Sequence, residues 1–523
     1  MTASHATPVP PQHSSGAFRS TGQDEEFHVG QGAPTLLGLL DDALMEWERY
    51  ATPGITTGAD WHFGDAGSGE NGIRSAANFV FASAFRWKQY GNQLGLDWAR
   101  RGLDYLLAGH RTGEGACADG QRWGHAWQSS WWCGKMALGA HLIWAELSRQ
   151  RREAVARVVA SEAGALLLRA VPTGLALDTK AEENAWDTEV LASALLLMPE
   201  HPDRGAWAEK LNAFAMNTLS RAVDHERLDL VEGKPVADWL TSANLFHDFT
   251  IENHGSCHFC YVASPLASLT WARASFLLSG RPAPESLSFN KAAFWNKHKS
   301  LFLDRRFAYV GGQDWARYTY GEYFIVPAAV SIAASLDDRF AQHVAAQRVK
   351  MLRLEQRRNG DGSFFSRRVT RRLYQGQAAK YETDCFAHLA LARLLLDLEP
   401  ATSEGPADRV VRPVAVHLGY ETQVAWTRTE AFLPASVRKR CKAESRSPCS
   451  RLPAMTMSLN GCRETSAATS SSRGGTRPIC ACCRSCLSAR WASGWRGWSC
   501  IDKETSTPSN NASASRQTPI ATP

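Results

Sequence analysis

Thr35–Tyr50 reads TLLGLLDDALMEWERY, with a threonine near its start and apolar residues recurring at i, i+3 and i+4. That spacing puts one apolar stripe on one face of a helix. The same rhythm returns at about Ile73–Tyr90, Gly95–Ala108, Ser130–Leu147, Arg152–Ala170 and Ala181–Met198, the last stopped by Pro199. It continues at about Arg204–Val223, Ser256–Ser279, Ser288–Leu303, Tyr320–Ser335, Asp338–Glu355 and Asp384–Leu398. Gly/Pro/Asp-rich loops join these segments, and convincing strand patterns are almost absent before residue 405. The expected fold class is all-α.

Antiparallel helical hairpins with one apolar face each can stack as an open solenoid or close into a ring. Two features favour an α/α toroid of about six hairpins. The helix count is close to six pairs. Tryptophans recur at the hairpin ends: Trp61-His62-Phe63, Trp123, Trp127, Trp131-Trp132, Trp186 and Trp315. In a ring these ends converge on one concave mouth, where some rings can stack on sugars and the rest pack internally.

Outside this region the composition changes. Residues 1–30 read as a disordered leader, too poor in apolar side chains to offset ordering entropy. The toroid is expected over 31–405. Val410–Phe432 alternates with period two (Val-Ala-Val-His, then Thr-Gln-Val-Ala-Trp-Thr-Arg-Thr), so the start of a β-sandwich is expected over 406–435. From about Ser436 the alternation is lost and Cys, Ser and Arg rise together. Residues 436–523 are expected to be a non-native, out-of-frame or disordered tail. Five cysteines lie in 1–405 and eight in the last 118 residues, so the body suits a reduced protein. Cys480, Cys482, Cys483 and Cys486 lack the second ligand pair a structural zinc site requires.

Composition also excludes classes. Apolar residues make up 44%, enough for a sizeable core. The net charge of +6 is concentrated in the Arg-rich tail, with no basic stripe carrying aromatics, so nucleic acid is not an expected partner. No apolar run of membrane-spanning length occurs, so no membrane span is expected. The first residues contain no secretion signal, which favours a cytoplasmic protein, or a secreted one if the true start lies upstream. No cofactor is expected: Gly64-Asp65-Ala66-Gly67-Ser68-Gly69 follows no strand, and Asn359–Phe365 reads as a turn. The oligomeric state is not set by the sequence.

Two polar clusters carry the chemistry. The first is Glu252-Asn253-His254-Gly255-Ser256-Cys257-His258-Phe259-Cys260-Tyr261. A helix starting near Asn253 would put His254, His258 and Tyr261 at i, i+4 and i+7, on one face. The second is Asp178–Glu189, whose Glu182 and Glu183 suit a first helical turn, whereas Asn184 and Trp186 have no such explanation. Cys257-x-x-Cys260 with the two histidines is a weak metal pattern, and no metal site is assigned.

Asn184-Ala185-Trp186, an acidic residue, then an apolar helix ending in Met198-Pro199-Glu200 resembles the Asn-Trp helix of the heparinase II/III-like α/α-toroid polysaccharide lyases. Asn253-His254-Gly255 followed by Tyr261 resembles the Asn-His-Gly…Tyr region of alginate-lyase-like members. Gly312-Gln313-Asp314-Trp315 ahead of Tyr318 and Tyr320 resembles an acidic loop at the toroid mouth. Here Ala185 splits the family's Asn-Trp pair, and no arginine stands out as its catalytic arginine.

The resemblance implies β-elimination on a uronate-containing polysaccharide. Asn184 and His254 would neutralise the uronate carboxylate, and Tyr261, or His258 as an alternative base, would move the protons. Trp127, Trp131, Trp186, Asn253, Asp314, Trp315, Tyr318 and Tyr320 would bind the acidic substrate. Two competing readings remain: a toroidal glycoside hydrolase using two of Glu183, Asp187, Asp248, Glu252 and Asp314, and a non-catalytic carbohydrate-binding toroid.

Overall fold

The computed structural model describes residues 35–52, 67–257, 259–302, 323–365, 378–400, 414–418, 424–428 and 435–437. The chain divides at Thr35, and Leu36–Pro523 holds every element below. As the apolar rhythm predicts, the body is helical. The main helices are α1 (Leu36–Glu46), α2 (Glu48–Ala51), α3 (Ser75–Tyr90), α4 (Gln93–Gly109), α5 (Ser129–Leu142), α6 (Arg149–Leu168) and α7 (Ala181–Leu197). They continue as α8 (Arg204–Thr218), α9 (Val236–Trp239), α10 (Phe259–Leu278), α11 (Lys291–His298), α12 (Ile325–Leu336), α13 (Arg339–Asn359) and α14 (Ala378–Leu398).

Six helices touch in cyclic order: α3 packs on α5, α5 on α7, α7 on α10, α10 on α12, α12 on α14, and α14 back on α3. A second set lies against them, with α4 on α3, α6 on α5 and α7, α8 on α7, α13 on α12, and α1 on α13 and α14. The sequence explains the division. α5, α7 and α14 are buried on nearly every side, so they need apolar residues all round. α4 and α13 bury one stripe and leave the other face polar. α5 also carries small residues where it meets its neighbours. A Cβ on Gly139 would lie 2.8 Å from Phe81 Cα, and one on Gly134 would lie 2.8 Å from Glu189 Cβ.

Strands are few among the described residues. β1 (Leu230–Val231) pairs with β2 (Lys234–Pro235), and β3 (Glu252–Asn253) pairs with β4 (Ser256–Cys257). The period-two stretch forms β5 (Val414–Leu418) and β6 (Val424–Arg428), antiparallel with Val416 opposite Trp426, and β7 (Ala435–Val437) pairs with β6. No described helix is long and apolar enough to cross a membrane.

The start of the last helix and the form of the Asn253 stretch depart most from the sequence reading. α14 begins at Ala378 rather than near Asp384, because its polar first turns are buried and so escape an apolar periodicity. The helix expected from Asn253 is instead the β3–β4 hairpin, and α10 starts at Phe259. His254 (φ 52°) and Gly255 (φ 72°) both take left-handed conformations at the turn. Two consecutive residues of that kind make the two-residue hairpin loop that suits strand twist.

Candidate active site

The inner helices present their N-terminal turns to one another. Arg74, in a π-helical turn (Glu70–Arg74) leading into α3, reaches Asp384 in the second turn of α14: Nε donates to Oδ1 at 2.9 Å, and Nη2 donates to Oδ2. Asn78 also donates to Asp384 Oδ1. The hydroxyl of Tyr323, just ahead of α12, donates to Oδ2 at 3.0 Å. The Arg74 guanidinium lies 4.1 Å over the ring of Trp131, in the first turn of α5. Trp131 stacks on Trp186 of α7 at 4.7 Å and 11°. Glu182, in the first turn of α7, accepts from Ser264 of α10 at 3.0 Å. The six helices therefore open toward the same end, and their positive dipole ends bias that mouth toward anions.

A charged column continues inward along the same faces. Lys135 donates to Glu189 at 2.5 Å, and its ammonium sits 4.7 Å from the rings of both Trp131 and Trp271. Trp271 donates its indole N–H to His388 Nε2 at 3.3 Å. At the mouth, Glu70 bridges Arg74 at 2.7 Å and Lys380 at 3.3 Å. Burial alone would raise the Glu70 carboxyl, but Arg74 and Lys380 hold it below its ordinary range. Burial pushes Glu182 up to about 8, against the pull of Ser264 and Arg74. Glu182 still keeps an edge open to solvent. The two mouth carboxyls are thus driven in opposite directions, Glu70 down by its cations and Glu182 up by burial.

The β3–β4 hairpin is docked beside this mouth. Thr179 N–H donates to Glu252 O at 2.9 Å, Gly255 N–H donates to Leu177 O at 3.0 Å, and Asn253 donates to Asp178 at 3.1 Å. These bonds fasten the hairpin to the segment that feeds α7. His254 Nε2 then lies 3.2 Å from the Tyr261 hydroxyl, with the rings 5.9 Å apart. Tyr261 shares a face of α10 with Ser264 and Trp271, which point at the column. Pro265 has no N–H, so the Tyr261 carbonyl lacks its usual helical donor.

The predicted site residues fare unevenly. His254 and Tyr261 meet, though through a turn and a helix start rather than along one helix. Asn184 is fully buried, and its amide donates to Pro172 O at 2.8 Å and Lys180 O at 2.9 Å. It lies two residues from Glu182, about 200° around the helix, so the two side chains leave α7 in opposite directions. Trp131 and Trp186 are 1% and 4% exposed and stack on each other, so neither offers an open face to a sugar. Trp127 does: it is 56% exposed and meets Trp186 edge-on at 5.6 Å. His258, Asp314, Trp315, Tyr318 and Tyr320 lie outside the described residues, as does Trp61-His62-Phe63. Among the described residues no group of three His, Cys, Asp or Glu side chains is placed to hold a metal.

Arg74, Glu70, Lys135, Tyr323, Lys380 and Asp384 were missed by pattern reading. Their sequence signal is a charged or hydroxyl residue inside an otherwise apolar helical run, as in Trp131-Trp132-Cys133-Gly134-Lys135-Met136. A buried charge in such a run demands a partner, but nothing local names it, since Arg74 and Asp384 are 310 residues apart.

No family model matches the chain, and no curated protein does. Among solved structures it is similar to a Paenibacillus xanthan lyase, at 12% identity and TM-score 0.45, over 77% of this chain and 34% of that one. It is also similar to the Streptomyces coelicolor A3 chondroitin AC lyase in complex with chondroitin sulphate, at 14% identity and TM-score 0.45, over 77% and 50%. A point mutant of that enzyme aligns at 16% identity and TM-score 0.43, again over 77% and 50%. The chain spans a third to a half of the length of these proteins. At such identities and scores the likenesses assign it to no family.

Proposed function

We propose that this chain is a polysaccharide lyase of the α/α-toroid type, with six helical hairpins, cleaving a uronate-containing glycan by β-elimination. One observation carries the reading: the 3.2 Å contact between His254 Nε2 and the Tyr261 hydroxyl, at the end of the helical ring where six N-termini converge. The chemistry needs an environment that tolerates a carboxylate gaining negative charge, and a proton carrier beside it. The helix ends supply the first and Tyr261 the second.

In this reaction the uronate carboxylate enters the positively biased mouth and accepts a hydrogen bond from His254. Tyr261, as phenolate, takes the C5 proton. The electrons of that C–H bond form the C4–C5 double bond, and the C4–O4 bond breaks. The departing O4 receives a proton from the Tyr261 hydroxyl. His258 remains the alternative base. Asn184 acts as a positioning residue: with its amide held by Pro172 and Lys180, it braces the segment on which the His254 hairpin docks. Trp127 lines the approach, Asn253, buried and bonded to Asp178, braces the hairpin beside it, and Asp314, Trp315, Tyr318 and Tyr320 complete the substrate-binding set.

A second reading has its own support. Glu182 is pushed up to about 8 while Glu70 is held low, and carboxyls driven apart in this way suit an acid and a base or nucleophile of a glycoside hydrolase. Product analysis separates the two. Incubation with alginate, heparan, chondroitin, hyaluronan and glucuronans should yield an unsaturated uronate absorbing in the near ultraviolet. New reducing ends without that absorbance would establish the hydrolase, and binding with neither would leave a carbohydrate-binding ring.

A further inference from the structure

The loop joining α4 to the mouth end of α5 borders an open surface cavity of about 740 Å³, whose lining includes Arg111, Glu114, Gln121 and Arg122. The loop is tied down. Arg111 N–H donates to Trp123 O at 2.9 Å, Trp123 N–H to Gly109 O at 3.0 Å, and Cys117 N–H to Gln121 O at 2.8 Å. Gly115 N–H donates to Ala108 O at 3.0 Å. The Trp123 indole is anchored on Leu106 O at 2.8 Å. A frame this well bonded presents its side chains without much ordering cost on binding.

The cavity carries two arginines that pair with no carboxylate among the described residues. Arg122 donates to two carbonyls, Gly115 O at 2.9 Å and Glu114 O at 3.3 Å, and among the described residues to no carboxylate. The Arg111 side chain has no ion pair among the described residues, and both arginines are exposed. Among the described residues Glu114 is the one carboxylate in the lining. Asp119, on the same loop, is occupied by the backbone N–H and hydroxyl of Ser68, both at 2.8 Å. That contact also fastens the loop to the segment leading into the π-turn of Glu70 and Arg74, and the loop runs on into Trp127. The cavity therefore stands on the rim of the mouth.

We propose that this cavity is an outlying subsite that binds an oxyanion-bearing sugar of the glycan, a carboxylate or a sulfate, through Arg111 and Arg122. It rests on the reading that the mouth handles an acidic glycan. A guanidinium fork suits either anion, and a subsite away from the scissile bond raises affinity for long chains over short ones.

Binding is measured by calorimetry at low salt, without reference to turnover, using alginate (carboxylate only), dextran sulfate (sulfate only) and a neutral glucan. Arg111→Glu should weaken binding of the preferred acidic polymer by about tenfold, the scale of one charge-assisted contact. Glu114→Gln should tighten it, which guards against misreading a folding defect in the first variant. The relative loss for alginate and dextran sulfate tells carboxylate from sulfate. Unchanged affinity in both variants, equal affinity for the neutral glucan, or no affinity for either acidic polymer would overturn the subsite. Binding with the expected variant effects but no unsaturated product would leave the subsite standing and remove only the lyase reading.

Discussion

Replacing Asp384 by alanine should open the ring at its closure. Asp384 is fully buried and accepts from Arg74, Asn78 and Tyr323, so one carboxylate ties α14 to α3 and to the start of α12. In Asp384→Ala the Arg74 guanidinium, 8% exposed, loses its bidentate partner and keeps Glu70 and the Trp131 ring. Removing one member of a buried pair costs about 3–5 kcal/mol, and each orphaned donor adds about 1–3 kcal/mol unless water reaches it. With water reaching one of the two other donors, Asn78 and Tyr323, and the other left dry, a loss of about 4–8 kcal/mol is expected, a large share of the roughly 5–15 kcal/mol that holds a domain together. Urea unfolding followed by tryptophan fluorescence reads it as a lower midpoint with the slope unchanged. The double variant Arg74→Met/Asp384→Leu removes both charges together and should cost clearly less than Asp384→Ala alone. The reasoning is refuted if Asp384→Ala costs under about 1 kcal/mol, or if the double variant is the more damaged.

Four further outcomes follow from single positions. Glu182 has its folded-state pKa raised to about 8 from an ordinary 4.5, so it binds a proton on folding between those values. Stability should fall as pH rises from about 5 to 8, and Glu182→Gln should flatten that decline in thermal melts taken across the range. Gly139→Ala forces a methyl group against Phe81 Cα and should cost about 1–3 kcal/mol, read as a lower thermal midpoint. His254→Asn keeps a residue that tolerates φ of 52° while removing the imidazole, so it should fold normally yet lose turnover. Gly255→Ala, at φ 72°, should instead cost about 1 kcal/mol of stability.

What the sequence disclosed, and what it hid, follows the range of the interactions. Helices were legible because their signal is local: Thr35–Tyr50 and Ala181–Met198 appear nearly where the apolar stripe puts them. The cyclic order was not legible, because it depends on pairs such as Trp47 and Glu382, 335 residues apart. In the Glu252–Tyr261 stretch the histidine and tyrosine do meet, but its local form was misjudged. A left-handed His-Gly pair makes a tight hairpin, and tyrosine still meets histidine because the turn folds back over the start of α10. The tryptophans misled in the other direction. Trp131 and Trp186 looked like sugar platforms, yet each covers the other, and of the described tryptophans in that set only Trp127 stands clear.

The most direct trial of the lyase reading is Tyr261→Phe, compared with the wild type for near-ultraviolet absorbance of product and, separately, for glycan affinity. Removing one hydroxyl should abolish unsaturated product on the preferred acidic polymer while affinity stays within about twofold, since the aromatic ring and the mouth are unaltered. A variant that turns over as fast as the wild type would contradict the proton shuttle and, with it, the proposed reaction.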